Sequence, residues 1–264
     1  MKRHRRIRGA VLALGAAAAL TLTACGGDPD SDPAPAASDP AAAELLNKAA
    51  EATEALTGAT LEIAVSGTVQ SLNATAVAAE VNTRPTVSGK GTATLDMGGK
   101  KVTAPFVYLD GAFYANVDGG GWIDYGDGRS IYDVSRVLDA KAGVPGILRG
   151  LEGAKTDGTE DVNGARATKV TGTVPAKTVA ALTGATGEEA AKATTPLGTT
   201  VWITAEHQVA RVVVEPATGT TMTIDVSNWN VGTEVTRPRG VQTPTVAPPS
   251  PPASGEPTRE PAAG

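Results

Sequence analysis

Residues 87–97 read Val-Ser-Gly-Lys-Gly-Thr-Ala-Thr-Leu-Asp-Met and alternate without interruption. Val87, Gly89, Gly91, Ala93, Leu95 and Met97 fall on one side, and Ser88, Lys90, Thr92, Thr94 and Asp96 on the other. A period of two is the signature of a half-buried strand. Gly98-Gly99 turns the chain into Val102–Leu109, and Asp110-Gly111, a strong hairpin signal, leads into Ala112–Val117. Trp122–Tyr125 reads as a further short strand. Upstream, Leu61, Ile63, Val65, Gly67 and Val69 alternate, and residues 72–82 form an Ala-rich candidate. Downstream, Asn163-Gly164 joins two strands, the second over Ala165–Val174, and Thr200–Thr204, Val209–Glu215 and Thr221–Trp229 complete the series.

Helical signals are fewer. Asp39 suits an N-cap, Pro40 the first helical position and Gly58 a helix end. Between them Leu45, Ala49, Ala52 and Leu56 keep the helical repeat, with Leu46 widening the stripe and Glu44, Lys48, Glu51 and Glu54 to one side. Ile131–Leu138, Gly146–Leu151, Ala176–Leu182 and Glu188–Ala193 read as shorter helices. Roughly ten meandering strands with a few helices predict an α+β fold: a large antiparallel sheet, helices on one side, too wide to stay flat.

The N-terminus has a different logic. Lys2, Arg3, Arg5, Arg6 and Arg8 precede an apolar run from Val11 to Leu22, the length of a signal-peptide core and too short to span a bilayer permanently. The run ends in Leu22-Thr23-Ala24-Cys25, which resembles a bacterial lipobox and marks Cys25 as the residue that would be acylated. Arg5-Arg6 is a weaker hint of twin-arginine export. Cleavage before Cys25 removes five basic and no acidic residues. The formal charge then moves from −5 to −10, with 18 Lys and Arg against 28 Asp and Glu. Such a chain is poorly suited to nucleic acid, which needs clustered cations. Membrane attachment would rest on the acyl chains, on the extracytoplasmic face of the cell membrane. Cys25 is the sole cysteine, so no disulfide is available. The expected organisation is a signal over residues 1–24, the acylated cysteine and tether over 25–38, one domain over 39–237, and a Pro-rich tail over 238–264 that cannot bury a core.

Catalytic signatures are nearly absent. His207 is the one histidine past the signal, which leaves no His-based metal cluster, and no Gly-x-Ser-x-Gly elbow accompanies it. His207 falls between strands and reads as an exposed turn residue. Gly119–Gly121 lacks the Lys-Ser/Thr of a phosphate loop and reads as a hairpin loop. Asp124, Asp127 and Asp133 fit no calcium-loop spacing. No catalytic residue, metal or cofactor is expected.

The sheet face at 87–97 is unusual in another way. It is built partly of Gly and Ala, in a chain where aromatics are only 3 % of residues. Small residues leave volume, and voids cost about 24 cal/mol per Å³ in a solid core. Either the helices approach the sheet closely, or a cavity lies between them and awaits an apolar guest. On the second reading the lining would come from Leu45, Ala49, Ala52 and Leu56, from Val87, Gly89, Gly91, Ala93 and Leu95, and from Ile147, Leu148 and Leu151.

Several stretches together resemble the LppX/LprAFG lipoproteins of mycobacteria and related actinobacteria, the LprG branch above all. They are residues 108–117 (YLDGAFYANV), 122–125 (WIDY), 131–138 (IYDVSRVL), 162–170 (VNGARATKV) and 200–203 (TVWI). The resemblance runs over about residues 44–238. It implies a strongly curved half-barrel sheet with helices on its concave side, enclosing a hydrophobic cavity for multiply acylated lipids or lipoglycans. It also implies lipid transfer toward the cell surface, with a major-facilitator efflux pump as partner. The competing expectation is an envelope scaffold with a solid core. A hydrolase would need His207 beside a nucleophile and an acid.

Overall fold

The computed structural model describes residues 37–67, 74–117, 119–128, 134–139, 141, 143–183 and 193–243. The expected helix at 188–193 falls almost wholly outside these residues, as do Cys25 and most of the Pro-rich tail.

The chain opens with helix α1, Pro40–Glu54. Asp39 caps it, its side chain accepting the Ala41 N–H at 2.9 Å, and Pro40 takes the first helical position. The helix stops at Glu54 with Ala55 as C-cap. Gly58 does not close it but begins strand β1, Gly58–Ser66. A Cβ on Gly58 would stand 2.7 Å from the Val231 carbonyl oxygen, so glycine lets a distant segment lie against the backbone there.

The other strands are β2 (Ala74–Asn82), β3 (Ser88–Met97), β4 (Lys100–Leu109), β5 (Ala112–Ala115), β6 (Ile123–Asp127), β7 (Glu152–Val162), β8 (Ala165–Pro175), β9 (Pro196–Thr204), β10 (Val209–Ala217) and β11 (Thr220–Ser227). Two short helices join them, α2 (Val144–Arg149) and α3 (Ala176–Thr183). The helix expected at 131–138 is, in its described part, a 3₁₀ turn over Val134–Leu138. The Asp110-Gly111 and Asn163-Gly164 turns have both central residues at positive φ, the backbone that a tight two-residue hairpin demands.

All eleven strands form one antiparallel sheet in the order β6-β5-β4-β3-β2-β1-β11-β10-β9-β8-β7. Two meanders therefore meet where the first strand pairs the last, Leu61 opposite Val226 and Ile63 opposite Ile224. β6 and β7 are the edges, so the sheet is open. One rim carries the β1–β2, β3–β4, β5–β6 and β10–β11 connections and the start of β7. The opposite rim carries β2–β3, β4–β5, β7–β8 and β9–β10.

One face of the sheet carries the helices. Leu61, Val170, Val174, Val201, Ile203, Val212, Val214, Ile224 and Val226 share a single core with Leu46, Ala49 and Ala50 of α1 and Ile147 and Leu148 of α2. The buried side of α1 is Ala42, Leu46, Ala49, Ala50 and Thr53, rotated from the stripe expected through Leu45 and Ala52, which are half-buried. Thr53 can be buried because its hydroxyl donates to the Ala49 carbonyl at 2.7 Å. Ala42 and Ala50, both at 0 % exposure, show α1 lying close against its neighbours. Arg149 of α2 pairs with Glu54 at the end of α1, which holds the Glu54 carboxyl below its usual range.

The outer face is crossed by the chain after β11. Glu80, Lys90, Val107, Tyr114 and Asp124 stand directly opposite one another on consecutive strands and form one transverse row. The chain from Asn228 to Gln242 runs along that row as a strap. Asn82 and Thr233 exchange reciprocal bonds at 2.8 and 3.0 Å, the Thr233 hydroxyl donates to Glu80 at 2.6 Å, and Lys90 donates to the Glu234 carbonyl. Arg237 covers Tyr114, and Gln242 pairs with β6 through Trp122 and Asp124. Val107 and Tyr114 are buried beneath it although they point away from the helices. The packed chain thus continues past residue 237, the domain boundary expected from composition, to residue 242.

Candidate functional site

The helix-bearing face is not uniform. Under α1 and α2, on β8–β11, its apolar residues are sealed: Val170, Val174, Val201, Ile203, Val212, Val214 and Ile224 all have 0 % exposure. On β1–β5 the same face continues with Ile63, Val65, Val77, Ala93, Leu95, Val102 and Phe113, all only half-buried. Cross-strand register places them together: Val77 is opposite Ile63 and Ala93, and Leu95 is opposite Val102. Phe106 stacks on Phe113 with ring centroids 5.6 Å apart, and Phe113 meets Tyr125 at 6.4 Å. This series of rings leads from the core, where Phe106 is 4 % exposed, to the open edge, where Tyr125 is 39 % exposed.

The residues singled out from sequence divide accordingly. Ala49, Leu56, Ile147, Leu148 and Leu151 lie in the packed core, and Leu45 packs against it. Ala52 and Leu56 border a hollow of about 10 Å³ with Thr53, Gln208, Val209, Val226 and Trp229, room for about one water molecule and no more. Ala93 and Leu95 lie on the half-buried part of the face, Val87 packs just before β3, and Gly89 is buried opposite Tyr108. Gly91 has a different reason from the one its size implied. A Cβ there would run into the Ala78 carbonyl oxygen, so glycine at this position serves close backbone approach between β2 and β3.

Ile63, Val65, Val77, Val102 and Phe113 were not among the expected lining residues. Their signal is present as strand alternation, but register across β1–β5 is needed to see that they share a patch.

Among the described residues, the polar groups singled out from sequence are taken up in local contacts. His207 sits in the β9–β10 turn at φ 65°, half-buried, with its ring Nδ1 3.1 Å from the Ala205 carbonyl oxygen. Asp124 is spent on the Gly126 N–H and on Arg237. Arg211 and Asp225, opposite each other on β10 and β11, form a two-pronged pair at 2.6 and 3.1 Å on the outer face, joined by Asn163. Among the described residues no three His, Cys, Asp or Glu side chains converge as a metal site. No helix among them is long and apolar enough to cross a membrane.

These features define an α+β protein built on one open antiparallel sheet, whose helix-bearing face is sealed over one half and still apolar and accessible over the other. The chain belongs to the LppX/LprAFG lipoprotein family, whose sequence profile (LppX_LprAFG lipoprotein) matches residues 41–235. It is 30 % identical over 241 residues to the lipoarabinomannan carrier protein LprG of Mycobacterium leprae, covering 90 % of this chain and 98 % of that one. It is 33 % identical over 229 residues to lipoprotein LprA of Mycobacterium tuberculosis, covering 84 % and 93 %. Among solved structures, LprF from Mycobacterium bovis superposes with a TM-score of 0.67 at 21 % identity, over 76 % of this chain and 99 % of that one. Lipoprotein LppX from Mycobacterium tuberculosis gives a TM-score of 0.58 at 25 % identity, over 75 % and 100 %.

Proposed function

We propose that this protein is a membrane-anchored lipid carrier. The acyl chains of a multiply acylated lipid or lipoglycan lie in a hydrophobic cavity on the helix-bearing face of β1–β5, and the polar head stays at its mouth. One observation carries the reading: Ile63, Val65, Val77, Ala93, Leu95, Val102 and Phe113 form one apolar patch left half-buried beside a sealed core. The name of the Mycobacterium leprae relative, a lipoarabinomannan carrier, supports the same ligand class.

The physics of a carrier needs no covalent step. Each buried methylene is worth about 0.8 kcal/mol, so a lipid with two or three long chains hardly leaves a bilayer unaided. A face that shelters the chains removes most of that barrier. Acylation at Cys25 would hold the carrier on the extracytoplasmic face of the cell membrane, within reach of donor lipid. An efflux pump of the major-facilitator class would act as partner in moving the lipid outward.

The test is mass spectrometry of organic extracts from the purified protein. A multiply acylated lipid recovered in near-stoichiometric amount is expected. Its absence from protein prepared from its own membranes would leave an envelope scaffold in place of a carrier.

A further inference from the structure

On its β5 side the β3–β4 hairpin runs past the strand beside it: β4 pairs with β5 only from Phe106 onward, while on the other side β3 pairs with β2 as far as Leu95 opposite Ala74 among the described residues. Lys100–Thr103 therefore have no partner on β5, an overhang of about 13 Å at strand spacing. At the tip Met97 is 57 % exposed and continues the apolar face above Ala93 and Leu95. Lys100 and Lys101 are exposed, and among the described residues neither is paired with a carboxylate. The one acidic group at the tip, Asp96, is engaged in closing the turn, accepting the Gly99 N–H at 2.6 Å. Two adjacent exposed lysines beside an exposed methionine are unusual on a chain whose segment after Cys25 carries −10.

The position of the hairpin matters as much as its composition. It lies on the rim that also carries the start of β7. The chain enters the domain at that same rim: the Asp39 N–H donates to the Ala154 carbonyl at 2.8 Å, and the Ala154 N–H donates to the Ser38 hydroxyl at 3.0 Å. Between Cys25 and Ser38 a fully extended chain reaches about 45 Å. An eleven-residue strand is about 36 Å long. A bilayer at the opposite rim would consume most of that reach, whereas one at the hairpin rim consumes little.

We infer that the β3–β4 hairpin tip is a membrane-docking element that takes an anionic phospholipid surface, with Lys100 and Lys101 at the headgroups and Met97 entering the interface. This rests on the anchored-carrier reading and extends it by stating which end of the protein faces the lipid. Docked this way, Leu95 and Val102 stand next to the bilayer, and a lipid acyl chain would meet the apolar face without crossing water.

The experiment uses the acylated chain in vesicles. Because Cys25 is the sole cysteine, Met97→Cys supplies one free thiol for an environment-sensitive NBD fluorophore. Glu206→Cys, exposed on the β9–β10 turn of the opposite rim, supplies the control. In 7:3 phosphatidylcholine–phosphatidylglycerol vesicles the probe at position 97 should brighten and shift to the blue, and that at position 206 should not. Each lysine near such a surface contributes about fivefold, so Lys100→Glu with Lys101→Glu should lower the docked-to-undocked ratio at least about thirtyfold. The midpoint of thermal unfolding should not move, since among the described residues Lys100 and Lys101 pair only with Met97 and Asp96 of the same hairpin. A chain that anchors in the vesicles while the probe at position 97 stays as in water, or responds no more than the control, overturns the docking and leaves the carrier untouched. A chain that does not anchor overturns both. Normal docking with no lipid in the organic extract overturns the carrier alone.

Discussion

The guanidinium of Arg237 lies over the ring of Tyr114, 5.3 Å from its centroid, and the same group reaches Asp124 at 3.7 Å. Tyr114 points away from the helices, and the strap that bears Arg237 makes it a buried residue. An exposed cation–π contact is worth about 0.5–1 kcal/mol. Arg237→Ala should therefore lower the midpoint of thermal unfolding by about 1–4 °C. Arg237→Lys should recover only part of it, because ammonium lacks the planar stacking surface. An unchanged midpoint for Arg237→Ala would remove the strap's claim on β5.

Truncation separates the strap from the Pro-rich tail beyond it. Removing residues 244–264 should leave the midpoint within about a degree, since Pro-rich sequence buries little. Removing everything after residue 239 also deletes Gln242, whose backbone bonds to Trp122 and Asp124 cover the β6 edge. That shorter chain should melt lower and self-associate through the exposed edge. Differential scanning calorimetry and light scattering on the two truncations check this.

Gly91 and Ala93 lie two residues apart on one face, yet enlargement should affect them oppositely. Gly91→Val forces a side chain into the Ala78 carbonyl and should destabilise the protein by about 1–3 kcal/mol with or without lipid. Ala93→Trp instead extends over the half-buried patch, so the delipidated protein should be as stable as before while lipid recovered per mole falls. Clear destabilisation by Ala93→Trp, with no lipid in either protein, would sink the carrier.

Glu80 supplies a pH signature for the strap. The Thr233 hydroxyl and then Lys90 hold its carboxyl below the usual value of 4.5. A carboxyl lowered in the folded state contributes stability that is complete above the unfolded value and lost as pH falls through the folded one. The gap in unfolding midpoint between wild type and Glu80→Gln should therefore be open at pH 6–7 and shrink progressively as the pH falls below 4.5. A gap that stays constant across this range would mean that the carboxylate charge is not what holds Thr233.

Cys25 bears on the anchor alone. Cys25→Ser should abolish incorporation of radiolabelled palmitate and leave the precursor uncleaved or cleaved elsewhere. Label incorporated at the wild-type level would remove the lipoprotein reading of residues 22–25.

The strands are legible in the sequence because their turns are chemically explicit. Gly98-Gly99, Asp110-Gly111 and Asn163-Gly164 mark three hairpins, and the alternation around them decides which side chains share a face. Asp39-Pro40 likewise marks the start of α1. The face of α1 is harder to place because leucines outweigh threonine on any hydropathy count, whereas Thr53 is buried once its hydroxyl bonds to the turn before it. Gly58 and Gly91 mislead for a related reason: each answers to a backbone that approaches from elsewhere, which one-dimensional spacing does not contain. The strap is invisible in the sequence. Residues 228–242 have no periodicity, and their bonds run to side chains and carbonyls brought there by the sheet. The half-buried patch shows through Ala93 and Leu95 but has no outline, because its other members lie on four different strands.

The pairing of β1 with β11 dictates an order of events in biogenesis. Synthesis from the N-terminus delivers β1–β6 well before Thr220–Ser227. Until then one edge of β1, with Leu61, Ile63 and Val65 on it, has no strand beside it, and the loop to be closed spans more than half of the chain. Such an edge invites intermolecular pairing. The nascent protein is thus most vulnerable late in synthesis, and a holdase that covers β1 until the final strand emerges would raise yield more than one acting on any other part of the sheet.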